Sequence, residues 1–267
     1  MQISEEEEAV ADREAEKIAE LQYIYERQLK SYLQNSQLFA VTFAGCDSEY
    51  CKQVSRSARQ SLGFTSPSLS YGEVNFESFG ALVLSLTKYD VNLTQMYNFV
   101  DLGSGTGKAV IAATLLGIFE KCAGLEIIKD LHDIATTTVK RYYLNNTGSH
   151  IVTIDYMHGD ATYTDWSQTD MVFCHATCFD RDMMKRIANT ASKMRKGSIF
   201  ISVSTRLPCD DMFILIATGE LEVSWGMATA FMYRRNDAPA PGNVTDPKLH
   251  LDTVLAKDIP ELKLSLL

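Results

Sequence analysis

The chain has 267 residues, 46% of them hydrophobic and 22% charged, which predicts a soluble globular protein of one large domain or two small ones. Its longest central apolar run, residues 109–119, is too short to span a bilayer, so we expect no membrane role. The net charge of −9 and the absence of a Lys/Arg run argue against a DNA-gripping tail.

Much of the negative charge lies at the start of the chain. Residues 1–20 contain eight acidic and two basic side chains, a net charge of −6. This segment either meets a basic partner or is the solvated start of a helix. The opening MQISEEEEAV is acidic where a secretory signal would be basic, and the six cysteines include no CxxC pair. We therefore expect reduced thiols in a cytosolic or nuclear compartment, and no metal site.

Residues 1–70 are predicted to form a helical N-terminal lobe. In residues 8–34 the side chains Leu21, Tyr25 and Leu29 recur at helical spacing. The stretch that follows is mixed and partly helical, and a further helix is predicted over residues 76–87.

From residue 97 onward the pattern changes to strand, turn and helix in alternation. Five strands are predicted at residues 97–102, 121–127, 150–157, 170–175 and 197–204. Helices are predicted between and after them at residues 108–119, 129–144, 180–194 and 210–218, and two closing strands at 220–225 and 229–234. This alternation predicts a doubly wound, mainly parallel, seven-stranded Rossmann-like sheet with an antiparallel closing strand, over residues 71–235. A Pro/Gly-rich linker then begins a C-terminal tail, residues 236–267.

The turn DLGSGTGK joins the first strand to its helix. Two cofactor classes compete for such a glycine-rich turn. A dinucleotide fingerprint requires Gly or Ala where this chain has Lys108, and Asp101 would repel a pyrophosphate at the helix start. S-adenosylmethionine has no phosphate and carries an ammonium and a sulfonium, which suit an acid at this position. Glu126 and Asp160 end the next two strands and are placed to bind ribose hydroxyls and the adenine amino group.

The segments YGEVNF, FVDLGSGTGK, GLEI and HGDA occur in an order and spacing that resembles one family. It is the disruptor-of-telomeric-silencing family of non-SET histone H3 lysine methyltransferases, and the resemblance runs from about Ser70 to Tyr233. The upstream YGE loop is its most specific element. The resemblance implies a methyltransferase fold, a nuclear location, and methyl transfer from S-adenosylmethionine to a lysine in the core of histone H3 within the nucleosome.

The resemblance also implies roles for individual residues. The YGE loop would fold over the methionine end of the cofactor. The resemblance implies these cofactor-binding residues in the chain as a whole: Tyr71, Glu73, Val74, Asp101, Gly103, Gly105, Lys108, Glu126, Asp160 and Ala161. The residues around the transferred methyl group would be Tyr71, Phe76, His175, Phe179 and Tyr233. Lys108 stands where the family more often has Gln, and the basic DNA-holding tail of some members is absent.

Two of these roles have alternatives. Phe76 either walls a lysine channel or packs beneath the loop. The family's asparagine beside the target amine corresponds here to His175, or to Cys174 with a slip of one residue. His175 would then either orient the amine or be a satisfied, half-buried histidine.

The expected mechanism is an in-line displacement. An apolar channel and the positive cofactor would lower the pKa of the target lysine, whose deprotonation at pH 7 otherwise costs roughly 4–5 kcal/mol. No side chain stands out as a general base. The rival functions are a methyltransferase for a small molecule or non-histone protein, and a non-enzymatic adaptor that keeps the fold.

Overall fold

The computed structural model describes residues 30–61, 63, 72–146, 152–208 and 212–236. Its centre is a seven-stranded sheet in the order β3-β2-β1-β4-β5-β7-β6. The strands are β1 Asn98–Leu102, β2 Lys121–Glu126, β3 Thr153–His158, β4 Met171–Cys174, β5 Ile199–Val203, β6 Phe213–Val223 and β7 Gly226–Arg235. The first five strands are parallel, and β7 pairs antiparallel with both β5 and β6. The predicted doubly wound, mainly parallel α/β sheet is confirmed.

Helices cover both faces of this sheet. Residues 30–42 form α1, and the others are α2 Ser48–Ser61, α3 Phe76–Ser85, α4 Lys108–Leu115, α5 Lys129–Asn145 and α6 Arg181–Ala191. Short 3-10 turns follow α3 at Leu86–Tyr89 and β4 at Ala176–Cys178. No helix in the described part of the chain is long and apolar enough to cross a membrane.

Alternate residues of the central strands fill two separate cores. In β1, Phe99 packs on one face and Val100 on the other, and in β4 Phe173 and Val172 do the same. Strands β4 and β5 are buried at every position, which explains why their sequences are apolar except for Ser202. The sheet therefore forms a rigid base whose strand ends can hold a site.

One predicted element is wrong. Residues 210–218 were expected to be a helix, but Phe213–Val223 is the long edge strand β6. Its apolar run is too short to distinguish helix from strand by composition alone, and it contains the β-branched residues Ile214 and Ile216. Ten residue pairs with β7 stabilise it as a strand. The predicted strand at 220–225 is the second half of this same element.

The described part of the N-terminal lobe packs directly on the sheet's helices. Phe43 belongs to the same core cluster as α3 and α4. Arg141 of α5 donates from Nη1 to the carbonyl oxygens of Thr42 and Ala44, at 2.9 and 2.6 Å, where α1 ends. Asn35 donates to the carbonyl of Leu115 at the end of α4. Residues 8–29 of the predicted first helix and the tail from 237 lie outside the described residues.

Candidate active site

The glycine turn occupies the carboxyl end of β1, at the edge where parallel strands place their functional groups. Gly103 and Ser104 both donate backbone N–H groups to the carbonyl of Leu125 at the end of β2. Gly107 starts α4 with a φ of 88°. A β-carbon built on Gly107 would lie 2.0 Å from the hydroxyl oxygen of Tyr156, so no larger residue fits there. The turn is held in a single compact shape.

Glu126, at the end of β2, is fixed by backbone amides. Its Oε2 accepts from the N–H of Gly105 at 2.7 Å, and its Oε1 accepts from the N–H of Ile128 at 2.8 Å. Burial raises the pKa of the Glu126 carboxyl, against the lowering effect of these amide hydrogen bonds. Each carboxylate oxygen has a second lone pair, so the oriented group can still accept two hydroxyl donors.

Asp101, at the end of β1, is a buried acid whose carboxylate is not fully hydrogen-bonded within the described residues. It is 3% exposed, and its Oδ1 has no hydrogen-bond partner among the described residues. Burial raises the pKa of its carboxyl well above the usual range, and the charge of Glu126 raises it further. An unpaired buried carboxylate is costly, so the position is well suited to a ligand that supplies a positive donor.

The larger of two cavities at this edge encloses about 660 Å³, including space open to solvent. Glu126, Asp160, Ala161 and Phe179 contribute to its lining. Asp160 is oriented by the N–H of Thr162, which donates to its Oδ1 at 2.8 Å. Aliphatic side chains form the rest of the wall, among them Ile128, Leu131, Met183 and Ile187. Two acids on one side and an apolar wall on the other can hold a nucleoside.

The smaller cavity, of about 280 Å³, lies under the loop that precedes α3. It is lined by Glu73, Val74, Asp101 and Lys108, among others. The Nζ of Lys108 is 2.7 Å from Oε2 of Glu73, and both side chains are largely buried. Because Lys108 and Glu73 neutralise each other, Asp101 is the unpaired charge at this space, and it is complementary to the ammonium group of an α-amino acid.

The loop is also attached to the hairpin between β6 and β7. The N–H of Ser224 donates to the carbonyl of Glu73 at 2.9 Å, and Val74 forms a β-bridge with Val223. Asn75, which caps α3, donates from its side chain to Glu222 at 3.0 Å. The loop and the hairpin therefore form one structural unit over the cavities.

His175 lies where the two cavities meet, together with Gly72 and Gly103. A β-carbon built on Gly72 would lie 2.8 Å from Cε1 of His175, so the ring fits tightly under the loop backbone. Burial lowers the pKa of the His175 imidazole to about 4, while a hydrogen bond with its own backbone acts in the opposite direction. Its Nε2 is buried without a hydrogen-bond partner among the described residues. His175 is therefore neutral at pH 7, and its Nε2 is open to a hydrogen bond with a ligand.

The remaining residues predicted for the site lie elsewhere. Phe76 is 2% exposed and stacks on Tyr32 and Phe39 with ring centroids 5.7 Å away, so it packs beneath the loop and lines neither cavity. Tyr233 is buried in the core on the other side of the sheet, where its hydroxyl accepts from the N–H of Leu207. Tyr71 lies outside the described residues. Cys174 is fully buried in β4, which leaves His175 as the residue at the cavity.

Two residues at the site were not predicted from the sequence. Trp225, in the hairpin, is 50% exposed, and its Nε1 would lie 3.4 Å from a β-carbon on Gly72. Tyr156 passes beneath the glycine turn and donates to the carbonyl of Gly107 at 3.2 Å. The sequence signal available for Trp225 was a Trp directly before a Gly, in the segment SWG. No local signal marks the second. Among the described residues, no three metal-ligating side chains are grouped together.

Comparison with protein families decides the identity. The model of the histone methylation protein DOT1 family matches residues 50–213, which include the loop, the glycine turn and all three strand-end acids. The chain belongs to the DOT1 histone methylation family. This DOT1-family chain is an S-adenosylmethionine-dependent methyltransferase, and the unpaired Asp101 and the two joined cavities fit that cofactor. No curated protein sequence matches it.

Solved structures with a similar fold include several methyltransferases. An RNA methyltransferase from Salinibacter ruber, in complex with S-adenosyl-L-homocysteine, is 21% identical with a TM-score of 0.44, and the match covers 61% of this chain and 96% of that one. TrmN from Thermus thermophilus is 16% identical with a TM-score of 0.45, over 58% and 48% of the two chains. The YcgJ protein from Bacillus is 16% identical with a TM-score of 0.36, over 45% of this DOT1-family chain and about half (49%) of its own length.

Proposed function

We propose that this chain is a nuclear histone methyltransferase that methylates a lysine in the core of histone H3 on nucleosomes. The observation that supports it best is the meeting of two cavities at Gly72, Gly103 and His175 in a chain of the histone methylation family. One cavity suits a nucleoside and the other an amino acid, so their junction is where a sulfonium group between those two parts would lie.

The cofactor would be held by strand-end and loop residues. Glu126 would accept from the ribose hydroxyls with the lone pairs that its amide donors leave free. Asp160 and Ala161 would border the adenine, against the aliphatic wall. Asp101 would bind the ammonium of the methionine part, and Lys108 would bind its carboxylate. Gly103 and Gly105 would allow the cofactor to approach the backbone closely. When bound, S-adenosylmethionine supplies the electrophilic methyl group.

His175 and Phe179 would control the approach of the target amine. Phe179 lies against Gly103, where a β-carbon would be 3.3 Å from its Cζ, and so walls the junction on one side. The Nε2 of His175 can accept a hydrogen bond from the amine and fix the direction of its lone pair. With its pKa lowered to about 4, His175 is too weak a base to hold the lysine proton at pH 7. The role of these residues is therefore alignment and exclusion of water, while desolvation and the positive charge of the cofactor would lower the pKa of the entering amine.

The remaining residues predicted for the site have different roles in this proposal. Glu73 and Val74 support the loop through Lys108 and the hairpin, and Tyr71 stays a prediction for the cofactor lid. Phe76 and Tyr233 are left out of the proposed channel because both are packed in the interior. The domain boundaries are also a proposal: we place the catalytic domain at 71–235 and an N-terminal lobe at 1–70, of which the described residues 30–61 pack on the catalytic domain.

The test is a methyl-transfer assay with labelled cofactor. Intact nucleosomes, free histone H3 and a mixture of small-molecule amines are offered side by side, and mass spectrometry locates any methyl-lysine. We expect label on H3, and more of it on nucleosomes. Glu126→Gln should abolish most of the label, whereas the matched Glu120→Gln, on an exposed residue away from the cavities, should not. Label only on small molecules, or none on H3 while the cofactor binds, would contradict the histone assignment.

A further inference from the structure

Two histidines lie side by side where α5 begins and β3 ends. The ring centroids of His132 and His158 are 5.6 Å apart, with an angle of 41° between the ring planes. His132 lies in the first turn of α5, where its backbone N–H donates to the carbonyl of Ile128, and His158 is the last residue of β3. His132 is half-buried and His158 is exposed, so solvent reaches the two rings. We call these two residues the histidine pair.

The ring of His158 is oriented by the backbone. Its Nε2 lies 3.0 Å from the carbonyl oxygen of Ile127. Because a carbonyl oxygen only accepts hydrogen bonds, Nε2 carries the proton of the neutral ring and Nδ1 has the lone pair. Metal-binding histidines are commonly fixed in this way, by donating their other ring N–H to a backbone carbonyl. His158 is therefore held in a tautomer that can bind a metal ion through Nδ1.

The ring of His132 has a nitrogen that the fold does not use. Its Nδ1 is buried without a hydrogen-bond partner among the described residues. The spacing of the two rings also suits a shared ion. A Zn–N bond is about 2.0–2.1 Å long, so an ion bound by two imidazoles places their ring centres roughly 5–6 Å apart. The observed separation of 5.6 Å lies within that range.

The charges around the histidine pair do not oppose a cation. Lys129, three residues before His132, is neutralised by Asp133, whose two carboxylate oxygens both lie 2.7 Å from the lysine Nζ. Glu126 is aligned with His158 in the pairing of β2 with β3, and the two side chains interact electrostatically. No group of three metal-ligating side chains occurs in the described residues, so water would complete the coordination of an ion held by the pair.

The histidine pair lies behind the wall of the larger cavity. Ile127, Ile128 and Leu131 line that cavity, and His132 directly follows Leu131 in the chain. The two histidine rings themselves are not part of the lining of either cavity at the candidate active site. An ion bound by the pair would therefore act by joining the start of α5 to the end of β3.

We propose that the histidine pair binds a divalent transition-metal ion, Zn²⁺, which clamps α5 to β3. Imidazole nitrogen is a preferred ligand of Zn²⁺, whereas Mg²⁺ and Ca²⁺ prefer oxygen ligands. With two protein ligands and water in the other positions, the ion is exchangeable. The binding needs neither cofactor nor histone, so its test is independent of the proposed function.

The experiment titrates zinc chloride into the cofactor-free full chain by calorimetry. It compares the wild type with His132→Gln, His158→Gln and the double variant His132→Gln/His158→Gln. The matched control is His175→Gln, which removes an imidazole at the junction of the two cavities. Melting temperatures with and without Zn²⁺ check that each variant folds and measure the clamp. Because His158 is exposed, His158→Gln keeps the test valid if His132→Gln is unstable.

We expect each single variant to bind Zn²⁺ about 100-fold more weakly, because two ligands on one rigid frame bind an ion far more tightly than one. The double variant should be no weaker than either single variant, since both side chains hold the same ion. Zn²⁺ should raise the melting temperature of the wild type and of His175→Gln, and not that of the pair variants.

Three outcomes would overturn the proposal. Unchanged Zn²⁺ affinity in both single variants would show that the ion binds elsewhere. Losses that add in the double variant would show that the two histidines bind separate ions. Loss of binding in His175→Gln alone would assign the ion to the junction of the cavities.

Discussion

Replacing Asp101 by Asn should stabilise the cofactor-free protein and weaken cofactor binding at the same time. The Asp101 carboxyl is buried with one oxygen unpaired, and its pKa is raised well above the usual range by burial and by Glu126. A buried unpaired polar group costs about 1–3 kcal/mol, and Asn removes the charged part of that cost. For a chain of this size we expect a rise in melting temperature of about 2–9 °C near pH 8.

The direction of the pH dependence follows from the raised pKa. At low pH the carboxyl is protonated in both the folded and the unfolded protein, so wild type and variant differ little. As the pH rises above the unfolded value of about 3.9, the unfolded state ionises first and the wild type loses stability, until the pH passes the folded pKa. The stabilisation of Asp101→Asn should therefore be small near pH 4 and largest at alkaline pH.

The affinity for S-adenosylmethionine should fall in the same variant. Loss of one charge-assisted hydrogen bond to the ammonium, about 1.5–3 kcal/mol, corresponds to a Kd increase of roughly 10- to 150-fold by calorimetry. The matched control is Asp170→Asn, since Asp170 accepts from the N–H groups of Tyr97 and Asn98 and pairs with Arg195. The control should lose stability and keep its affinity. An Asp101→Asn protein that is less stable than the wild type at pH 8, or binds cofactor equally well, would refute the reasoning.

Three further predictions concern the same site. Glu126→Gln should weaken cofactor binding by about 2–4 kcal/mol, a Kd increase of roughly 30- to 900-fold in calorimetric titration, because its carboxylate orders the turn and the ribose; an unchanged Kd would exclude the ribose role. Burial lowers the pKa of His175 to about 4, so the wild type should lose stability relative to His175→Gln as the pH falls from about 6.5 to about 4. Urea unfolding measures this, and parallel curves of unfolding free energy against pH would contradict the burial of His175. Gly72→Ala and Gly72→Val both place a β-carbon 2.8 Å from Cε1 of His175, and Val should reduce turnover more because it adds two methyl groups to that contact. Full activity of both variants in the methyl-transfer assay would show that the loop is only a connector.

The sheet was predictable because its central strands are buried on both faces. Such strands appear in the sequence as short apolar runs. The acids at or just beyond the ends of β1, β2 and β3 must meet at one edge because these parallel strands share their direction. Residues Phe213–Val223 were misassigned because their strand structure depends on pairing with β7, a contact that no local pattern records. Local sequence was sufficient wherever burial alone determined the structure.

The positions of Phe76 and Lys108 could not be obtained in the same way. Phe76 faces α1, and only the docking of that helix decides that its ring stacks on Phe39 and not on a substrate. The partner of Lys108 is Glu73, 35 residues earlier in the chain, and no local pattern indicates that the two charges meet. Both depend on the packing of distant segments, which composition and periodicity do not encode.

The attachment of the loop to the β6–β7 hairpin has a consequence for the order of events in turnover. Because Glu73 and Val74 are hydrogen-bonded to Ser224 and Val223, we expect the loop and the hairpin to move together when the smaller cavity opens. A protein substrate seated against the exposed Trp225 would hold the hairpin in place and so keep the spent cofactor inside. We therefore expect a compulsory sequence in which cofactor enters first and leaves last, and each further methyl group requires the protein substrate to dissociate before the next one can be delivered.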